Sequence, residues 1–342
     1  MSHKNLNVKN KIPRLLEDKI NNKKINLIYK KFEKSFSEKS NFIVAVSGGP
    51  DSLALAFFTK IYSLKNKIDL NFFIIDHKLR KGSTNEAKFV KKLLKKYSIK
   101  AKILSWVGRK PKNNIQSLAR NNRYKLLFNE SEKLGVKNIV LGHHQDDLIE
   151  NFFIRLLRGS GLKGLISLNK KTKVGDKNLL RPLLDFKKEE LTFIANHVFN
   201  FYVKDTSNED KKYQRVRVRK LILELEKDGL DKKKFSKTIN NLQYADNVVN
   251  FYVNQNLQKN SFFSNNKDNL IVNKKFFQQP YEVVFRSFSE SIKIIGKKYY
   301  PVRGKKLDKV LENIEKNCLS KVTLGGCIIE KVNQTVIISK EH

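Results

Sequence analysis

The apolar run "NFIVAV" (41–46) passes directly into "SGGPDS" (47–52), and a second apolar run, "LALAFF" (53–58), follows at once. A nearly unbroken apolar stretch suits a strand buried on both faces, whereas Ala54, Phe57, Phe58 and Ile61 repeat at helical spacing. The segment therefore predicts strand, glycine turn, helix. Two adjacent glycines, in a chain with only 15, let backbone amides approach an anion, and a helix start adds its positive end. The hydroxyls of Ser47 and Ser52 supply further donors. The Gly-x-x-x-x-Gly-Lys-Ser/Thr pattern of the familiar phosphate loop is absent. Asp51 would repel a polyphosphate unless Mg²⁺ bridges the two. A plain helix cap by Asp51 or Ser52 is the simpler alternative, but it explains neither glycine.

The same alternation continues. "FIVAVS" (42–47), "LNFFIID" (70–76), "AKILSWV" (101–107) and "NIVLG" (138–142) read as buried strands, and Val90, Leu93, Leu94 and Tyr97 mark a helix between them. This predicts an α/β fold, a parallel sheet with helices on both faces, whose ligands bind at the carboxyl ends of the strands. The glycine turn, Asp76-His77 and His143-His144 all fall at that edge. Farther on, the pattern gives a long helix near 234–258, a loop at 260–269, a helix over 305–317 and three short strands, "KVTL", "CIIEK" and "TVIIS". The expected organisation is a basic N-terminal extension over 1–35, a catalytic domain over 36–215, and a helical linker with a small α+β C-terminal domain over 216–342.

The formal net charge is +37, from 70 Lys and Arg against 33 Asp and Glu. Lysine bias accounts for part of this; a polyanionic partner accounts for it as well. Only 13 of the basic residues are arginine, and eight of those lie between Arg120 and Arg219. The guanidinium fork suits phosphate and carboxylate better than an ammonium does, so the middle of the chain is expected to handle phosphates. Two cysteines, Cys318 and Cys327, make no disulfide framework. The basic N-terminus lacks an apolar signal core and no stretch approaches the length of a membrane span, so a cytoplasmic protein with no membrane partner is expected.

Three further segments carry chemistry. In "LGHHQDDLIENFFIRLLRGSGLKGL" (141–165), a helix starting near Asp146 puts Asp147 and Glu150 on one face, able to share a cation or a substrate ammonium, or simply to stabilise the helix start. His143 and His144 stand at the strand end, within reach of nucleotide or metal. In "SLARNNRYKLLF" (117–128), Arg120 and Arg123 lie one turn apart beside Tyr124, Leu127 and Phe128; they form a phosphate clamp or a solvated face. In "DTSNEDKKYQRVRVRK" (205–220), Asp205 and Asn208 suit a turn, while Arg215, Arg217 and Arg219 suit either structure or an RNA backbone.

Ser-Gly-Gly-x-Asp-Ser after a strand resembles the pyrophosphate (PP) loop of the N-type ATP pyrophosphatases. The His-x-x-Asp-Asp element, Ala-Arg-x-x-Arg-Tyr at 119–124, Arg-Pro-Leu-Leu at 181–184 and Leu-Gly-Gly-Cys at 324–327 are similar to elements of the tRNA(Ile)-lysidine synthetases. The family often reads Asp-Asp-Gln-x-Glu-Thr where this chain has Asp146-Asp147-Leu148-Ile149-Glu150-Asn151, so no role passes to Leu148 or Asn151. Relatives commonly continue into a further domain beyond the Leu-Gly-Gly-Cys element, whose glycines a tight turn explains.

The resemblance implies a ligase with ATP and Mg²⁺ as cofactors. It joins free L-lysine to the wobble cytidine of tRNA(Ile) bearing a CAU anticodon, through an adenylated base, and so changes the codon read from AUG to AUA. By resemblance Ser47, Gly48, Gly49, Pro50, Asp51, Ser52 and His143 hold ATP, and Asp51 holds the metal. Arg120 and Arg123 stabilise phosphate, Asp147 and Glu150 orient lysine or act catalytically, and Arg215, Arg217 and Arg219 meet tRNA. Assembly as a homodimer is compatible with all of this. The alternatives are a PP-loop tRNA thiolase, which paired cysteines would favour, and a non-catalytic RNA-binding protein, which would not need the glycine loop.

Overall fold

The computed structural model describes residues 12–79, 82–108, 115–203, 212–264, 269–297, 302 and 304–341. The chain divides into two compact units, Met1–Lys237 and Thr238–His342.

In the first unit, strands β1 (Phe42–Val46), β2 (Leu70–Asp76), β3 (Ala101–Ser105) and β4 (Asn138–Val140) alternate with helices α3 (Pro50–Asn66), α4 (Ser83–Lys96) and α5 (Ile115–Lys133). Helices α1 (Arg14–Ile20) and α2 (Lys23–Ser35) precede them. Helices α6 (Gln145–Leu156) and α7 (Leu162–Leu165), strands β5 (Lys171–Val174) and β6 (Lys177–Leu180), and helices α8 (Lys188–Phe199) and α9 (Gln214–Lys227) complete the unit. The sheet order is β3-β2-β1-β4-β6-β5, parallel throughout except for the β5–β6 pair.

Period-2 geometry explains why β1 is apolar at every position. Phe42, Val44 and Val46 face one core, shared with Leu53, Phe57 and Phe58 of α3 and Leu191 and Ile194 of α8. Ile43 faces the other, with Phe73, Ile139 and Leu127 of α5. Helices thus cover both faces, as expected for a mainly parallel sheet. The strand order reverses between β1 and β4, so the loops leaving these two strands diverge and open a crevice at their carboxyl ends.

Three elements of this unit differ from expectation. Residues 14–35, expected within an extension, fold as α1 and α2 and bury Leu16, Ile20, Ile25, Ile28, Tyr29 and Phe32 in the main core. Phe32 stacks on Phe58 with ring centroids 5.2 Å apart. Ile25, Ile28, Tyr29 and Phe32 recur at helical spacing, and the lysine-rich composition around them is what reads as an extension. The β5–β6 hairpin adds an antiparallel edge; its outer strand carries Lys171 and Lys173, a charged edge rather than an apolar run. Helix α9 continues the first unit past residue 215, packing Val218 and Ile222 against Ile149 of α6.

The division between units falls inside α10 (Lys232–Asn260). The second unit then contains β7 (Ser261–Phe263), β8 (Asn269–Val272), α11 (Lys274–Phe277), α12 (Tyr281–Gly296), α13 (Gly304–Glu315), β9 (Lys321–Leu324), β10 (Cys327–Val332) and β11 (Thr335–Lys340). Its antiparallel sheet runs β7-β8-β11-β10-β9 over a core of Phe276, Phe288, Ile292, Leu307, Ile329 and Ile338. Ser261–Phe263, expected in a loop, forms the edge strand β7. Gly325 and Gly326 both have positive φ, +68° and +77°, and make the two-residue turn between β9 and β10. Among the described residues no helix is long and apolar enough to cross a membrane.

Candidate active site

The loop after β1 forms as its residue types require. Gly48 has φ +86°, and a Cβ there would lie 2.7 Å from Val90 Cγ2 and 2.9 Å from Val203 Cγ2, so only glycine fits. Gly49 has an ordinary backbone and caps α3; a Cβ would meet only Ser47 Oγ, at 3.6 Å, so the space before it is open. Ser52 closes the turn: its hydroxyl accepts from the amides of Ser47 and Gly48, both at 3.1 Å, and donates to Gly49 O at 3.0 Å. Pro50 begins the helix, where its missing N–H costs no hydrogen bond.

The loop after β4 approaches closely. A Cβ on Gly142 would sit 3.3 Å from Ser52 N and 3.4 Å from Asp51 O. His144 then caps α6: its Nδ1 accepts from Asp146 N at 3.2 Å, and its own amide donates to Asp147 Oδ2 at 3.1 Å. The His144 ring thereby comes to stand between two carboxylates, with Nε2 3.7 Å from Asp51 Oδ2 and 3.6 Å from Asp147 Oδ2. Two acids expected from separate motifs share one imidazole.

Each of the three expected acids meets a protein cation. Asp51 receives the Lys188 ammonium on both oxygens, at 2.8 and 2.6 Å. Glu150 is only 3% exposed and accepts from Arg215 Nε at 2.6 Å and Arg219 Nε at 2.5 Å; Arg215 Nη2 also reaches Asp147 Oδ1 at 3.1 Å. The structure therefore separates the arginine trio that was expected to face RNA. Arg215 and Arg219 turn onto the α6 acids, and Arg217 lies exposed with Nη1 donating to Lys212 O. Asp205 and Asn208 lie outside the described residues.

A cationic cluster adjoins these acids. Arg120 and Arg123 both stand over the Tyr124 ring, at 5.3 and 5.5 Å, with Arg120 exposed and Arg123 half-buried. Arg181, 3% exposed, donates from Nη1 to Asn169 O and Thr172 Oγ1. Buried polar atoms without a hydrogen-bond partner collect here: Arg123 Nε, Arg181 Nε, Tyr124 Oη, His143 Nδ1 and His77 Nδ1. Such orphans are costly to a folded chain unless a ligand satisfies them. By contrast, a cavity of about 560 Å³ at the opposite, amino end of the strands has its polar lining paired internally, Asn178 to Asn138 and Asn138 to Ser40.

Electrostatics follow the geometry. Burial drives the His143 imidazole well below its ordinary pKa; Arg181, Arg123 and Arg120 push the same way and Asp147 only partly opposes them. Burial opposes ionisation of Asp147, but His144, His143, Arg215 and the His144 amide outweigh it and hold the carboxyl far below the usual range. For Tyr124, burial raises the pKa and the three arginines more than reverse that. No group of three His, Cys, Asp or Glu side chains able to cage a metal occurs among the described residues. Mg²⁺ held by one carboxylate, phosphates and water needs no such cage, and Asp51, already carrying a cation, fits that donor role.

Residues 17–226 match the PP-loop domain family. A tRNA(Ile)-lysidine synthase from Orientia tsutsugamushi (strain Boryong) is 31% identical over 316 residues, which are 90% of this chain and 71% of that protein. The chain belongs to the tRNA(Ile)-lysidine synthase family. A second synthase, from Wolbachia pipientis wMel, is 33% identical over 303 residues, 87% of this chain and 70% of its own length. Among solved structures, the U34-tRNA thiolase NcsA from Methanococcus maripaludis, solved with its 4Fe–4S cluster, shares the fold. Its TM-score is 0.56 at 18% identity, over 65% of this chain and 78% of that one. Family membership makes the chain an ATP-using tRNA-modifying enzyme.

Motif reasoning brought Asp51, Asp147, Glu150, Arg120, Arg123 and His143 to one edge. It placed His144 with His143, within reach of nucleotide or metal, without the capping role, and it assigned no role to Gly142, Lys188 or Arg181. Histidine is not among the usual capping residues, Gly142 sits in no recognisable turn pattern, and Lys188 has no local signal. Arg181 carried one, since Arg-Pro-Leu-Leu resembles a family element.

Proposed function

We propose that this enzyme is a carbon–nitrogen ligase that joins free L-lysine to the wobble cytidine of tRNA(Ile) with a CAU anticodon, using ATP and forming AMP and pyrophosphate. The observation that carries the proposal is the meeting of Asp51 and Asp147 on His144, beside a cluster of buried arginine, tyrosine and histidine side chains each with one polar atom left without a hydrogen-bond partner. One crevice thus offers an anion cradle, a metal-binding carboxylate and an acidic pair, the three things an adenylation followed by amine attack requires.

In this account the amides of Ser47 and Gly48, with the start of α3, receive the polyphosphate once the Ser52 hydroxyl releases them. Asp51 would hold Mg²⁺, and the ion when bound would neutralise charge on the leaving pyrophosphate. The cytidine 2-oxygen attacks the α-phosphorus and pyrophosphate departs; Arg120 and Arg123 stabilise the added charge. The ε-amine of lysine, its ammonium proton given up to water, then attacks the base carbon; the carbon–oxygen bond breaks, the oxygen leaves with AMP, and the second amine proton passes to solvent or to the departing phosphate. Asp147, held ionised by its surroundings, is a weak base. It is suited to orienting the lysine ammonium, in exchange for Arg215, rather than to removing its proton. The base must leave its stack to enter the crevice.

Arg217 is assigned to the RNA backbone. In the second unit the exposed rings of Tyr244, Phe251 and Tyr252 on α10 offer stacking surfaces for the tRNA body. All of these substrates are cytoplasmic, and the enzyme is placed there. A thiolase reading gains no support: both cysteines, Cys318 and Cys327, lie in the second unit, and the unit carrying the loop has none to ligate a cluster.

The test is release of labelled AMP from α-labelled ATP by the purified protein in the presence of free lysine. Dependence on the CAU transcript is expected. Equal release without tRNA, or none with it, would refute the proposal.

A further inference from the structure

Lys188 is the first residue of α8, and its position is fixed from three sides. Gln145 N donates to Phe186 O at 3.1 Å, tying the approach to α8 onto the start of α6. Lys187 N donates to Glu190 Oε2 at 2.8 Å, closing the first turn of α8. Leu191, Ile194 and Ala195 pack in the same core as Leu53, Phe57 and Phe58 of α3. The starts of α3, α6 and α8 are therefore held together, and from the last of them Lys188 reaches both oxygens of Asp51.

A lysine ammonium beside a helix start is poorly placed with respect to the helix dipole. The Asp51 carboxylate offsets that penalty. Both Asp51 oxygens are engaged at 2.8 and 2.6 Å, so a divalent ion on this carboxylate would stand against the ammonium and be repelled by it. The ammonium is 37% exposed on a flexible four-carbon stem, so it can leave without disturbing the core. An anion arriving at the Ser47–Ser52 loop reverses the local field and gives the displaced ammonium a new partner nearby.

We propose that Lys188 occupies the divalent-cation position on Asp51 in the free enzyme and yields it only when a polyphosphate is present to receive the displaced ammonium. Metal and nucleotide then bind with positive coupling, each raising affinity for the other by the same factor. The inference rests on the assignment of ATP to the 47–52 loop, and it adds a specificity device: a bare cation is refused, and the metal–nucleotide pair is accepted. Lys188 becomes a substrate-contacting residue only in the loaded state.

Mn²⁺ binding, followed by electron paramagnetic resonance with and without α,β-methylene-ATP, tests this in wild type, Lys188→Met and Lys188→Arg. Wild type is expected to bind Mn²⁺ more tightly with the analogue than without it. Lys188→Met should bind Mn²⁺ alone at least about fivefold more tightly than wild type, the equivalent of one partly exposed ion pair, and its coupling should shrink. Lys188→Arg should bind bare Mn²⁺ no more tightly than wild type. Equal Mn²⁺ affinity in folded Lys188→Met and wild type would overturn the proposal. So would wild-type Mn²⁺ binding indifferent to the analogue, a result that needs no variant to fold. If the analogue fails to bind wild type at all, it is the ATP assignment that fails, and the metal-only comparison still judges Lys188.

Discussion

Arg219 Nε donates to Glu150 Oε1 across 2.5 Å, joining α9 to a carboxylate that is almost wholly enclosed. Arg215 binds the other oxygen of the same group. A buried carboxylate between two guanidiniums is stable only as a set, because losing one member leaves unpaired charge in a low dielectric. Glu150→Ala is therefore expected to lower stability by about 1–3 kcal/mol, short of the full cost of stranding a buried charge because both arginines are more than a third exposed. Arg219→Ala should cost less, since Arg215 remains. Urea unfolding of the two variants checks the order.

The depressed pKa of Asp147 makes stability depend on pH with a definite sign. Its folded value lies below its unfolded value, so the stabilisation is complete above the unfolded pKa of about 3.9 and fades as pH falls toward the folded one. His143 acts in the same direction: its folded pKa is lowered, so below about pH 6.5 the unfolded chain takes up a proton that the folded chain refuses. Melting curves of wild type should fall steadily on acidification, and Asp147→Asn should flatten the part of that slope below about pH 4.

Gly48 and Gly49 should behave differently although they are adjacent. Gly48→Ala forces a Cβ against Val90 and Val203 at positive φ, so it should destabilise the fold itself. Gly49→Ala meets nothing but Ser47 Oγ at 3.6 Å, so melting should hold while affinity for ATP falls, because the added methyl lies where the polyphosphate approaches. Melting temperature and nucleotide titration, measured together, separate the two effects.

Arg217 is exposed on α9, with its neighbours Arg215 and Arg219 committed to Glu150. Arg217→Ala should leave stability within about 0.5 kcal/mol, as surface changes usually do. It should weaken tRNA binding and reduce the slope of log affinity against log salt by about 1. Filter binding over a salt series gives that slope.

The catalytic frame was legible because its rules are local. A strand buried on both faces must be apolar throughout, and Phe42–Val46 is; a backbone that turns at positive φ against Val90 and Val203 must use glycine, and Gly48 does. Spacing alone put Asp147 and Glu150 on one face of α6. What stayed hidden depends on distance along the chain or on competing composition. The Lys188–Asp51 contact spans 137 positions and picks one ammonium from 57 lysines. Arg215 and Arg219 look like an RNA-facing basic run until α9 folds back on α6. The apolar face of α2 keeps a regular helical spacing but stands in a lysine-rich segment that reads as a solvated extension, and β7 is a short edge strand with two exposed phenylalanines that reads as a loop.

Nuclease digestion of the tRNA after reaction, followed by mass spectrometry of the wobble nucleoside, tests the central claim most directly. With enzyme, ATP and isotope-labelled lysine, the CAU transcript should yield a cytidine-derived nucleoside carrying the labelled lysine, and Asp51→Ala should yield unmodified cytidine. An unmodified nucleoside from the wild-type reaction, or one that has gained sulfur instead of lysine, would contradict the account.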